Sequence, residues 1–239
     1  MGETQSTRKS WRTAILLSLI LLVIGFLAYR LELALPARPP SGYLTYTPST
    51  KPAPKEIGSY DVLGHTVSPE EATNLLQTDE GREFLSPQNG AVEVTEDLLA
   101  LGRKSFYTQT FGNEVFFTDV SAILDGPINV GSLTKAILAL QGKPTQNLQV
   151  PLDKDITVGG KTFKAGTLLN TGLDVPASSL IPLGIRTKIA LGGVKAGVTC
   201  ALYHAAVKED TGRILEGAPN TDLNTGLLIA MAGNNECRR

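Results

Sequence analysis

Cysteine, histidine and methionine each occur only twice in 239 residues, as Cys200 and Cys237, His65 and His204, Met1 and Met231. A multi-disulfide framework is therefore excluded, and a four-ligand zinc site would consume every Cys and His in the chain, with no Cys-x-x-Cys pair to start it. Charge is also sparse: 19% of residues are charged, against a usual share of about 25%. Lys plus Arg total 22 and Asp plus Glu 23, for a net charge of -1. That balance lacks the basic surface that nucleic-acid binding requires. A hydrophobic fraction of 42% excludes a disordered polyelectrolyte. Nucleotide binding is excluded at its one near miss, Asp155-Ile156-Thr157-Val158-Gly159-Gly160-Lys161-Thr162. Here Asp155 takes the place of the first glycine of a phosphate loop, and its carboxylate would repel phosphate.

What is abundant is one apolar run. Arg8, Lys9 and Arg12 precede Thr13 to Tyr29, and Arg30 and Glu32 close it. As a helix the run reaches roughly 25 Å, and snorkelling by Arg12 and Arg30 extends it toward the roughly 30 Å hydrocarbon core. A cleaved signal peptide is the competing reading, but its apolar region is shorter and ends at small-x-small, for which Ala34-Leu35-Pro36-Ala37 is a poor match. The expectation is a single-pass membrane protein with residues 1–12 cytoplasmic, residues 13–30 spanning, and the remainder on the periplasmic or thylakoid-lumen side. Met1 to Ser6 fits the myristoylation pattern, which a spanning helix makes redundant.

Pro36, Pro39, Pro40, Pro48, Pro52 and Pro54, interleaved with Ser, Thr and Lys, mark residues 31–60 as a polyproline-like linker holding the domain of residues 61–239 off the bilayer. Helical patterns open at Pro69-Glu70-Glu71 and run toward Phe84 and Leu85, and open again at Thr95. A third is capped by Ser132 and ends at Gly142. Between residues 147 and 199, glycine pairs divide β-prone pieces into hairpins: Gly159-Gly160 between Ile156-Thr157-Val158 and Lys161-Thr162-Phe163, and Gly192-Gly193 between Thr187-Lys188-Ile189 and Val194. Helical character returns at Cys200 to Val207 and Leu223 to Met231, and there is no internal repeat.

The chemistry-bearing pair is Cys200 and His204, at i and i+4 on one helical face. This is the outer frame of the c-type haem attachment motif Cys-x-x-Cys-His, with Tyr203 in place of the second Cys. The bland alternative is an ordinary helix with a buried Cys. A Cys-His nucleophile would need an orienting third residue, and none is identifiable.

Four collinear blocks carry a resemblance. They are Gly102-Arg103 with Phe106, Thr110-Phe111-Gly112, Glu114, Phe116 and Asp119; Leu173-Asp174-Val175; Val198 to His204; and Gly217-Ala218-Pro219-Asn220 through Asp222-Leu223-Asn224 to Gly226. Together they resemble the N-terminal haem domain of the di-haem cytochrome peroxidase and rubber-oxygenase group, most closely its membrane-anchored cyanobacterial single-domain members. The resemblance implies a mainly α, cytochrome c-like fold with β-hairpin insertions behind one transmembrane helix. It implies one c-type haem held by a single thioether to Cys200, with His204 as axial iron ligand. The sixth position is left to Met231, to His65 or to no residue: Met231 is otherwise core filling in its Leu-Leu-Ile-Ala-Met pattern, His65 sits at the end of the linker, and an open site would suit gas binding or peroxide chemistry.

Three departures limit what the resemblance implies. Tyr203 removes one thioether. Leu124 stands where many relatives carry a His. The last matched block is followed closely by Cys237-Arg238-Arg239, so a two-haem peroxidase or oxygenase is not expected of this chain. Cys237 could pair with Cys200 in an oxidising compartment, unless a thioether consumes Cys200. The expected function is one-electron transfer to a partner protein, a carrier rather than an enzyme. The alternative is a haem-free degenerate cytochrome domain serving as an anchored interaction or structural module.

Overall fold

The computed structural model describes residues 3–45 and 55–234. Cys237 and the prolines Pro48, Pro52 and Pro54 lie outside them, as do Met1 and Gly2. In chain order the elements are α1 (Glu3–Arg30), β1 (Leu33–Leu35), β2 (Tyr43–Thr45), β3 (Tyr60–Val62), β4 (His65–Val67), α2 (Pro69–Leu75), α3 (Asp79–Phe84) and β5 (Ala91–Glu93). Next come α4 (Glu96–Thr108), a π-helical turn at Val115–Val120, α5 (Val130–Ala139), β6 (Gln149–Pro151), β7 (Ile156–Val158), β8 (Lys161–Phe163) and β9 (Leu168–Asn170). The last are β10 (Ile185–Ala190), β11 (Gly193–Val198), α6 (Ala201–His204), β12 (Ala205–Val207), β13 (Ile214–Glu216) and α7 (Thr225–Ala230).

The expectation of a mainly α domain is overturned. The chain is 36% helical and 23% strand, with the strands in several small sheets, so the fold is mixed α and β. Much of that helix is α1 itself, of 28 residues. The reason lies in pairings between distant segments, which carry no local periodicity: β1 lies antiparallel on β10, and β2 lies parallel to β13. α1 includes one stretch, Thr13–Arg30, long and apolar enough to cross a membrane and with none of its residues buried; a signal sequence has the same length and composition.

Local chemistry explains the element ends. The pattern from Pro69 to Leu85 is broken in two, because the Thr78 hydroxyl accepts from the Gly81 amide at 3.0 Å and starts α3 afresh. α5 is capped by Asn129 rather than Ser132. The Asn129 side chain accepts from the Ser132 amide, and the Ser132 hydroxyl accepts from the Asn129 amide, a reciprocal box. Gly159 and Gly160 both take positive φ, 54° and 75°, the requirement of a two-residue turn between β7 and β8.

The linker is not a free spacer over its described part, since residues 33–35 and 43–45 are strands of the domain's own sheets. The Arg103 guanidinium donates to the Pro40 carbonyl at 2.7 Å, and its Cζ lies 3.6 Å from the Tyr43 ring centroid. Arg186 donates to the Pro36 carbonyl at 2.9 Å.

The main core joins Ile128 and Ile137 to Leu148, Val150, Leu173 and Met231. A second cluster gathers Tyr107, Leu183, Ala201, Ala205, Val207 and Ile214. The α6 turn sits between them, with Leu202 in the first and Ala201 in the second. A satellite core lies under β3, β4, β5 and α2.

Candidate functional site

The site is built on a single helical turn. The expected helix from Cys200 to Val207 stops after His204, where Ala205 turns extended (φ -144°, ψ 149°) and β12 begins. The turn is closed by the Tyr203 and His204 amides donating to the Cys200 carbonyl at 3.2 and 3.1 Å. Ala201, Leu202 and Ala205 face inward and are buried, which leaves Cys200, Tyr203 and His204 together on the exposed face. Cys200 is exposed there and has no disulfide partner among the described residues, Cys237 lying outside them. The i, i+4 frame read from the sequence is thus present.

The four sequence blocks, far apart along the chain, converge on this turn. The Asn220 amide donates to the Tyr203 carbonyl at 2.9 Å and the Gly217 amide to the His204 carbonyl at 2.8 Å. Asp174 Oδ2 accepts from the Val207 amide at 2.5 Å, just past the turn, while Oδ1 accepts from Asn220 Nδ2 at 3.3 Å. Gly184 lies so close beneath α6 that an added Cβ would stand 2.0 Å from the Leu202 amide nitrogen. From the block of residues 102–119, Asn113 makes a two-way bond with the Val198 backbone, at 2.8 and 3.0 Å. Next to it the buried Glu114 accepts from Thr110 Oγ1 at 2.5 Å and pairs with Lys188.

Two carboxyls here are displaced in opposite directions. Burial pushes Asp174 up to about 7, with the charges of Asp222 and Glu209 adding to it and the Val207 and Asn220 donors opposing it. Burial also raises Glu114, but the hydrogen bonds from Lys188, from Thr110 and from the backbone outweigh it and hold the group at about 2. Neither residue was singled out as a site residue from the sequence. Both lie in the blocks that carry the resemblance, and that membership was the available signal.

Beside the turn is an apolar cleft of about 100 Å³. Leu202 and Tyr203 line it from α6, Leu124 and Phe117 from the segment after α4, and Leu223 and Leu228 from the C-terminal part. Tyr203 and Leu124, the two residues at which this chain departs from the haem-binding pattern, therefore face the same space. Cys200 and His204 do not line it. The cleft is well below the roughly 300–1,000 Å³ typical of small-molecule sites. Met231 is buried in the main core, and His65 is exposed on β4 in a separate sheet. Among the described residues no group of three or more His, Cys, Asp or Glu is placed to hold a metal ion. The Cys200–His204 pair and this apolar cleft are therefore separate features of the same turn, joined through Tyr203, which is exposed beside the pair and also lines the cleft.

Comparison with family models, with curated proteins and with solved structures returns no match to this chain.

Proposed function

We propose that this chain is a membrane-anchored interaction module, a domain that keeps the frame of a haem-attachment turn and uses it without a macrocycle. One observation carries the reading: Tyr203 and Leu124 line a single apolar cleft that excludes both Cys200 and His204. A space of that size suits one inserted aliphatic or aromatic anchor from a partner protein, the usual centre of a protein interface. On this reading α1 is the anchor, with a cytoplasmic N-terminus and the domain on the far side, and the basic residues Arg8, Lys9 and Arg12 before its apolar run support that sidedness. With the chain expressed in the inner membrane of a bacterium that has no internal membranes, protease added to sealed spheroplasts should digest the domain; full protection there would reverse that sidedness.

A second reading, the one-electron carrier, is favoured by the exposed thiol of Cys200 on the same turn as His204. The haem content of the full chain, purified from a host that matures c-type cytochromes, separates the two. The module predicts colourless protein with no haem stain on a denaturing gel. A Soret band with gel-stable stain that is lost in Cys200→Ser would establish the carrier and overturn the module. Tyr203→Cys completes the attachment motif, and under the module reading it stays colourless, because the cleft rather than the missing thiol is limiting.

A further inference from the structure

α1 ends where the Leu31 amide donates to the Ala28 carbonyl at 3.2 Å, and two residues later Leu33 is in register with Ile189. Because β10 runs antiparallel to β1, it heads back toward the end of α1, and the turn at Leu191-Gly192 falls level with Arg30 and Leu31. An extended chain covers at most about 10 Å in three residues, so Leu33 cannot lie farther than that from Arg30. The layer between hydrocarbon and water is about 5–7 Å thick on each side of a bilayer, of the same order.

The two faces of this three-stranded sheet differ. Lys188 and Lys195 share a rung on one face and are paired there, Lys188 with Glu114 and Glu32, Lys195 with Asp119 at 2.7 Å. On the other face Leu33, Ile189 and Val194 share the next rung. Toward the end of α1 that face is open, with Leu33 51% and Ile189 41% exposed, and just beyond the strand ends Leu31 and Leu191 are 70% and 67% exposed. Four large apolar side chains in one patch are a liability in water, and the surface they adjoin is the one α1 enters.

We propose that the β10–β11 turn, together with Leu31 and Leu33, inserts into the interfacial layer of the lipid bilayer as a second foot beside α1. The inference rests on α1 spanning the membrane. The foot fixes the domain's orientation as well as its distance, since a patch formed by β1 and β10 leaves no free swivel after Arg30. The glycines Gly192 and Gly193 let the turn seat without bulk, and the paired lysines on the opposite face keep their charges out of the hydrocarbon.

The test uses the unaltered full chain in phosphatidylcholine vesicles that contain a phosphatidylcholine with a photoactivated carbene precursor near the top of one acyl chain. Peptide mapping after illumination is expected to find lipid adducts in α1 and in residues 189–194. Leu191→Asp is expected to lose the second set and keep the first. Adducts in α1 alone would overturn the foot while leaving the anchor standing, and so would cross-links from this turn to a second copy of the chain. Adducts in neither segment would overturn the anchor and the foot together.

Discussion

Asp174 and Glu114 hold opposite ends of the acid range. Asp174 is 2% exposed and its carboxyl is pushed up to about 7, from an ordinary value of 3.8. Its contribution is fully present below pH 3.8, where folded and unfolded chains both carry the proton, and is lost as pH rises through about 7. Glu114 is held at about 2, from 4.5, so its contribution is present above pH 4.5 and lost as pH falls through 2. Thermal unfolding of the domain should therefore show a decline between about pH 4 and 7 that belongs to Asp174, and a separate acid decline below 4.5. Asp174→Asn should flatten the first and leave the second; an unchanged slope between pH 4 and 7 would reassign that window to another group. The cost of burying Asp174 is offset because its Oδ2 accepts from the buried Val207 amide and its Oδ1 from Asn220 Nδ2, which ties β12 to the segment after β9 and to the loop before α7.

At the scale of elements, legibility followed sequence distance. The β7–β8 and β10–β11 hairpins are readable because glycine pairs and β-prone residues sit side by side, and α5 because its apolar residues repeat at helical spacing. Cys200 to Val207 misleads: Cys-Ala-Leu-Tyr-His-Ala-Ala-Val scans as a helix, but Ala205 to Val207 are drawn into β12 by pairing with Ile214 to Glu216. That partner follows a turn at Gly212, and no propensity within the octet announces it. The linker misleads for the same reason, since its partners β10 and β13 lie far along the chain. The Cys200 and His204 frame was legible, whereas the cleft beside it was not, because its walls come from separate segments. How tightly α6 is held can be measured at Gly184. Its φ of 75° and the 2.0 Å approach of an added Cβ to the Leu202 nitrogen leave no room for a side chain. Gly184→Ala should destabilise by about 2–4 kcal/mol, from backbone strain and forced displacement of α6. Gly192→Ala, with nothing within 4 Å of the added Cβ, should stay within about 0.5 kcal/mol of wild type. Urea denaturation of both variants tests the contrast, and equal midpoints would show that α6 yields freely.

At the scale of the whole molecule, the boundary between α1 and the domain falls at Arg30, not at the end of the proline-rich stretch. β1 and β2 contribute strand pairing to two separate sheets, Arg186 and Arg103 hold the carbonyls of Pro36 and Pro40, and Arg103 stacks on Tyr43 while donating to Glu216 at 2.8 Å. Tyr107 completes this group by donating to the same carboxylate oxygen at 2.7 Å from within the second core cluster. At about 1 kcal/mol net for each hydrogen bond, losing the segment removes several kcal/mol. That is a large part of the roughly 5–15 kcal/mol by which a domain is stable. A fragment beginning at Leu31 should therefore melt cooperatively, close to the temperature of the full chain's domain. One beginning at residue 46 should melt far lower or not fold, even though it retains all of both core clusters. Calorimetry of the two fragments decides it. Equal melting temperatures would mean that β1 and β2 rest on the domain without supporting it, and the rigid connection from α1 into the sheet would then have to be abandoned.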